Sequence, residues 1–352
     1  MSDWHLDQPF WRSRQVFGES LFFAGGDDGA PASAPLLFAP AGRVRLRSAS
    51  GETEFEEGRD FLVDAASRRL VRLPGSRLPA TPGSALYRQP GQDQSIPHRV
   101  GDPDVGILFG EAHYFHDLQA EATYERAQAW TGFVPASQLA SLPRLGAALA
   151  AREPLRLCLT GDSISAGANA SACTDAPPRM PAYGDLVALG LEQRCGAAVS
   201  FTNLAVGGMG AEHGVAVAAQ AGALRPHLAL IAYGMNDVGR RDPAAFRERI
   251  AAGMTIIRQA SPHTEFVLVA SMLGNPEWVH TPAEMFPLYR DALAALCGPG
   301  VVLADVTAVW TDLLARKSFH DLTGNGVNHP NDFGHRVYAQ VVLEVLGAAS
   351  AA

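Results

Sequence analysis

The chain has 352 residues, 47% hydrophobic and 18% charged, with 28 basic residues against 36 acidic ones and a net charge of −8. That is enough apolar material for a sizeable core, and it excludes a largely disordered chain, which needs low hydrophobicity and high net charge. It also excludes the basic footprint of a nucleic-acid binder, and no stretch approaches the roughly 18 uninterrupted apolar residues of a membrane-spanning helix.

The opening MSDWHLDQPF has no basic stretch followed by an apolar one, so no secretory signal is expected. As written, this reads as a cytoplasmic protein, or a periplasmic or secreted one if a signal was removed. From Leu36 to Arg99 the segments are short. Arg43–Ser48, Thr53–Glu57 and Arg69–Leu73 alternate apolar and polar side chains, and Gly51, Gly58 and Pro74-Gly75 punctuate them. Gly106–Phe109 and Glu121–Glu125 read as further strands. Period-two alternation with frequent turn residues predicts an antiparallel, jelly-roll-like β-sandwich over residues 1–141.

After Leu142 the pattern changes to short apolar runs alternating with amphipathic segments. The strands are expected at Leu155–Thr160, Ala198–Ala205, His227–Ala232, Glu265–Ala270 and Val301–Val306. Helices are expected at Tyr183–Arg194, Gly214–Leu224, Pro243–Gln259, Pro282–Leu296 and Asp332–Leu346. Near-continuous apolar strands are those covered on both faces, so residues 142–352 predict a doubly wound parallel α/β domain. In such sheets ligands bind at the carboxyl ends of the strands.

Those ends carry the polar motifs. The first strand runs into Gly161-Asp162-Ser163, which places a hydroxyl in a tight turn. Ser163 is not in a GxSxG elbow, because Ser165 stands at the second glycine, and by itself it reads more readily as a helix cap. The second strand ends in Gly207-Gly208-Met209-Gly210, a loop that can bring backbone amides close to a ligand. It misses a dinucleotide fingerprint, because His213 stands where a glycine is needed. The third ends in Asn236-Asp237; a carboxamide there can donate to a developing oxyanion. Near the C-terminus His329 lies in a polar loop before Pro330, where its imidazole could take a proton from Ser163 and return it to a leaving alcohol. His335 falls inside the last helix and reads as structural.

These four blocks, in this order, resemble the SGNH (GDSL-type) hydrolase family over about residues 153–348. The resemblance implies a flavodoxin-like three-layer α/β/α fold. It implies Ser163 as nucleophile, an oxyanion hole from the Ser163 and Gly208 amides and the Asn236 side chain, and His329 as general base. Family members usually carry an Asp three residues before this His; here that position is Gly326. Asn325 stands where the acid would be if one residue has been added, but a neutral amide does not stabilise an imidazolium as a carboxylate does. Asp321 is the first candidate to orient His329 and Asp332 the second. The third is a Ser–His dyad whose ring is held by a backbone carbonyl.

The resemblance extends to two-domain carbohydrate esterases with an N-terminal β-sandwich. The expected substrate is therefore an acetylated oligo- or polysaccharide, with Trp278 placed either to stack on a sugar ring or to anchor its loop. Trp11, Trp130 and Trp310 are expected to be packed. A lipid or acyl-thioester hydrolase and a carbohydrate-binding pseudo-esterase are the alternatives. No cofactor is implied. The four cysteines, Cys158, Cys173, Cys195 and Cys297, form no CxxC, so neither a zinc site nor a disulfide framework is expected; Cys158 and Cys195 read as core.

Overall fold

The computed structural model describes residues 4–25, 28–89 and 91–347. Its C-terminal part is a three-layer α/β/α fold. The central sheet has the strand order Val199–Asn203, Leu155–Gly161, Leu228–Ala232, Glu265–Ala270 and Val301–Asp305, parallel throughout. Leu228–Ala232 and Glu265–Ala270 are buried at every residue, as expected of strands covered on both faces. The first strand in the chain lies second in the sheet. Its neighbours on the two sides are the second and third strands, so the connections diverge there and open a crevice at the carboxyl ends. The helices after the first four strands are Tyr183–Cys195, Ala211–Ala223, Pro243–Ala260 and Met285–Ala294. Val306–Leu314 was not expected from the sequence. It starts directly after the fifth strand, capped by Asp305, whose Oδ1 accepts from the Ala308 N–H at 2.9 Å.

The N-terminal part is built of short strands. One antiparallel sheet has the order Gln15–Phe22, Gln119–Glu125, Arg45–Ser48 and Glu54–Phe55. A second runs Phe61–Asp64, Arg69–Arg72, Ser33–Pro35, Ala24–Gly25 and Thr81–Pro82, with only its last pairing parallel. A third joins Ser95–Ile96, Gly106–Leu108 and Tyr87–Arg88. Gln15–Phe22, the longest strand of this part, does not alternate in sequence. Its Glu19 and Ser20 are buried because they meet polar partners on both sides of the strand.

One cluster of buried apolar side chains runs through both parts, from Leu6 and Trp11 to Trp310 and Leu346. The last helix, Asp332–Val345, is buried at every residue. Arg336, Gln340 and Glu344, four residues apart, form a polar stripe on it that faces the N-terminal segment. Arg336 donates to the carbonyls of Phe17 and Gly18, Gln340 donates to that of His5, and Glu344 pairs with Arg12. Trp11, Trp130 and Trp310 are packed, as expected. All four cysteines are free thiols; Cys158 is buried and Cys195 half-buried.

Candidate active site

Ser163 is the first residue of a four-residue helix, Ser163–Ala166, that follows the first parallel strand without a linker. The cap is Asp162, whose Oδ1 accepts from the Ile164 N–H at 3.0 Å, so the hydroxyl of Ser163 is left for other partners. Asp162 is fully enclosed, and burial pushes its carboxyl up to about 7. Gly161 has no room for a side chain: a Cβ there would lie 2.2 Å from Ser165 Oγ and 2.7 Å from the Ala232 carbonyl.

The glycine-rich loop lies against this turn. A Cβ on Gly207 would stand 3.8 Å from Ser163 Cβ, and the Val206 N–H donates to the Gly161 carbonyl at 3.1 Å. Gly208 is exposed at φ +76°, the left-handed region that favours glycine, and nothing lies within 4 Å of where its Cβ would be. Asn236 Nδ2 donates to the Met209 carbonyl at 3.0 Å. Asp237 Oδ1 accepts from the Ala211 N–H at 3.1 Å. These two bonds fix the glycine loop to the end of the third strand.

His329 closes the arrangement. Its Nε2 lies 2.8 Å from Ser163 Oγ, across 166 residues of chain. The loop that carries it, from Thr323 to Pro330, is bonded to itself. The His329 carbonyl accepts from Gly324 N–H and Thr323 Oγ1, and Asn325 Oδ1 accepts from the N–H groups of Val327, Asn328 and His329. Burial, and next the neighbouring His335, hold the His329 pKa down to about 4, so its ring is neutral and able to accept a proton at neutral pH.

The structure corrects the expectations for the group that orients His329. Asp321 is fully buried but points to the N-terminal strand. Its Oδ1 accepts from Phe22 N–H at 2.7 Å, its Oδ2 accepts from Ser318 N–H at 2.8 Å, and Lys317 Nζ stands 3.7 Å away. Asp332 Oδ1 accepts from Ser171 N–H at 2.8 Å. Neither carboxylate reaches the ring, and no backbone carbonyl among the described residues does. His329 Nδ1 instead lies 2.8 Å from Asn169 Oδ1 and 3.0 Å from Asn325 Nδ2. Sequence reasoning missed Asn169 because it looked for acids near His329. The available signal was a lone carboxamide in the Ala-rich run six residues after Ser163.

The absence of an acid at Gly326 has a steric cause. Gly326 has φ +93°, and a Cβ there would lie 2.2 Å from the Leu108 carbonyl and 2.9 Å from the Phe115 ring. The N-terminal part thus occupies the space a side chain would need, and the Gly110 N–H donates to the Asn325 carbonyl at 3.1 Å. Further along, Gln119 Nε2 donates to the carbonyls of His320 and Thr323. Asn331 Nδ2 donates to Ser20 Oγ, Gln119 Oε1 and the Asp321 carbonyl. Beneath these bonds lies an ion pair with both side chains fully buried, Lys317 Nζ to Glu19 Oε1 at 2.6 Å.

Trp278 is half-buried, and its Nε1 donates to the Pro97 carbonyl at 3.2 Å. Its loop is tied to the His329 loop: Asn275 N–H donates to the Val327 carbonyl and Asn275 Nδ2 to that of Gly326. A cavity of about 590 Å³ opens elsewhere, on the four-stranded sheet, lined by Arg43, Arg45, Arg47 and Glu121 among others; none of Ser163, Asn236 and His329 borders it. No group of metal-ligating side chains occurs among the described residues, and none of their helices is long and apolar enough to cross a membrane.

Residues 159–337 match the model of the GDSL-like lipase/acylhydrolase family. The chain belongs to this family. It is an SGNH-type carboxylic ester hydrolase. No curated protein sequence matches it. Among solved structures it is similar to a two-domain esterase active on acetylated mannans, at 20% identity and a TM-score of 0.48; the match covers 62% of this chain but only 56% of that one. It is similar to a family 3 carbohydrate esterase of Clostridium thermocellum at 12% identity and a TM-score of 0.41, covering 55% of this chain and 95% of that one. It is also similar to a lipase from a goat rumen metagenome at 14% identity and a TM-score of 0.44, covering 56% of this chain and 97% of that one. These likenesses do not bear on the substrate.

Proposed function

We propose that this hydrolase removes O-acetyl groups from an oligo- or polysaccharide through an acyl-serine intermediate. The Ser163–His329 contact at 2.8 Å carries the chemistry. The Ser163 hydroxyl proton passes to His329 Nε2 as Oγ bonds to the acetyl carbon. The oxyanion that forms is met by the N–H groups of Ser163 and Gly208 and by the free hydrogen of Asn236 Nδ2, donors preorganised for charge that develops only in the transition state. The tetrahedral species collapses, the bond to the sugar oxygen breaks, and His329 returns the proton to that oxygen. A water, deprotonated by the same ring, then releases acetate. No step calls on a cofactor.

The saccharide half of the reading rests on the loop that Asn275 bonds to the His329 loop. Trp278, His280 and His98 form a partly exposed edge, with ring centroids 4.9 Å apart for the first pair and 5.7 Å for the histidines. A flat aromatic flanked by polar rings suits a sugar face with its hydroxyls. In this reading the chain divides near Leu142, and the 1–141 part supplies one side of the substrate groove.

The test is acetate release from a panel of acetylated oligosaccharides, with a short-chain and a long-chain aryl ester alongside and Ser163→Ala as control. Acetate from the saccharides, lost in Ser163→Ala with the fold intact, is the expected result. Preference for the long acyl chain would move the substrate to lipids. Turnover retained in Ser163→Ala would overturn the nucleophile assignment.

A further inference from the structure

We propose that Asn169 is the positioning residue of His329: its amide oxygen, turned to the ring by the Ala112 carbonyl of the N-terminal part, holds the imidazole as the Nδ1–H tautomer in place of a carboxylate. The inference rests on the ester-hydrolase reading of Ser163 and His329. For Nε2 to take the proton of Ser163, its lone pair must be free, so the neutral ring must carry its hydrogen on Nδ1. That hydrogen needs an acceptor.

Two asparagines meet Nδ1, and their orientations are fixed from outside. Asn169 Nδ2 lies 2.7 Å from the Ala112 carbonyl, a group that only accepts. The nitrogen of that amide must therefore face Ala112, and its oxygen faces the ring at 2.8 Å. Asn325 is fixed the other way. Its oxygen takes three backbone N–H groups, which turns its nitrogen to Nδ1 at 3.0 Å and to Asn328 Oδ1 at 2.9 Å. Asn169 thus stabilises the productive tautomer, and Asn325 alone would stabilise the other.

The surroundings are built for Asn169. Its backbone has φ +61°, a left-handed conformation that asparagine tolerates better than most residues. Gly324 leaves it room: a Cβ at 324 would lie 2.3 Å from Asn169 Cβ. The preceding carbonyl, of Ala168, accepts from His335 Nε2 at 3.0 Å. His335 is itself fully buried, and burial holds its pKa down to about 4, so this strut is neutral at the neutral pH at which His329 accepts a proton.

The experiment compares Asn169→Ala and Asn169→Asp with wild type by two readouts. The first is the ¹⁵N spectrum of the His329 ring, identified by its loss in His329→Gln. The second is the pH profile of kcat and KM on p-nitrophenyl acetate. Wild type is expected to show a protonated Nδ1. Asn169→Ala is expected to move the proton toward Nε2 and to lower kcat by about 10²-fold with KM little changed. Asn169→Asp restores an acceptor. It is expected to recover most of kcat and to move the acidic limb of the profile upward by about one unit or more, because a carboxylate favours the imidazolium. An unchanged tautomer in Asn169→Ala would overturn the proposal even if kcat fell, since that fall would then report packing. So would an acidic limb that stays in place in Asn169→Asp. A wild-type protein inactive on every ester but with a protonated Nδ1 would sink the esterase reading and leave the tautomer assignment standing.

Discussion

The parallel sheet by itself places Ser163, Gly208 and Asn236, each at or just beyond the end of a strand, at the point where the connections diverge. His329 is placed differently. Its loop is docked on the N-terminal part through Gln119, Asn331 and the Gly110–Asn325 bond, above the buried Lys317–Glu19 pair. The Ser163 side of the site is thus a property of one fold. The His329 side is shared between that fold and the β-rich N-terminal part. Where a backbone carbonyl of that region excludes a side chain at Gly326, another carbonyl of it, that of Ala112, orients the amide that takes over at Nδ1.

Breaking the sheet-held side should touch chemistry far more than stability. Asn236→Ala removes the proposed oxyanion donor at a half-exposed position. It is expected to lower kcat about 10²–10³-fold while the melting temperature stays within about 2 °C of wild type; steady-state kinetics and calorimetry read the two separately. Breaking the docked side should touch stability first. Asp321→Ala leaves the buried Phe22 N–H, and the Ser318 N–H at the helix cap, without their acceptor, at a cost of about 1–3 kcal/mol. Denaturant unfolding measures that loss. Well below the unfolding transition, the pH profile of kcat should keep its acidic limb, because Asp321 does not touch the ring. A displaced limb would return Asp321 to the part the sequence first suggested for it.

The sequence makes one side of this comparison far more legible than the other. Leu228–Ala232 and Glu265–Ala270 are continuous apolar runs, and the motifs at strand ends follow directly from them. The strands read at Gly106–Phe109 and Glu121–Glu125, whose side chains alternate or run apolar, are present at Gly106–Leu108 and Gln119–Glu125. Gln15–Phe22 was not legible. Its Glu19 is buried by an ion pair with Lys317, 298 residues later, and no local pattern announces a partner that distant. Asn169 was hidden for a related reason. Its function depends on a carbonyl 57 residues earlier and a ring 160 residues later, and a neutral amide does not stand out when acids are sought. The missing acid at Gly326 was visible as a gap, but its cause, the Leu108 carbonyl, is tertiary.

In the proposed reaction His329 activates Ser163 by taking its hydroxyl proton. Covalent labelling with a fluorophosphonate, mapped by peptide mass spectrometry in wild type and in His329→Gln, tests it most directly. The expected result is an adduct on Ser163 that forms about 10²-fold or more slowly in His329→Gln. Equal labelling rates in the two proteins, or an adduct on another residue, would contradict it.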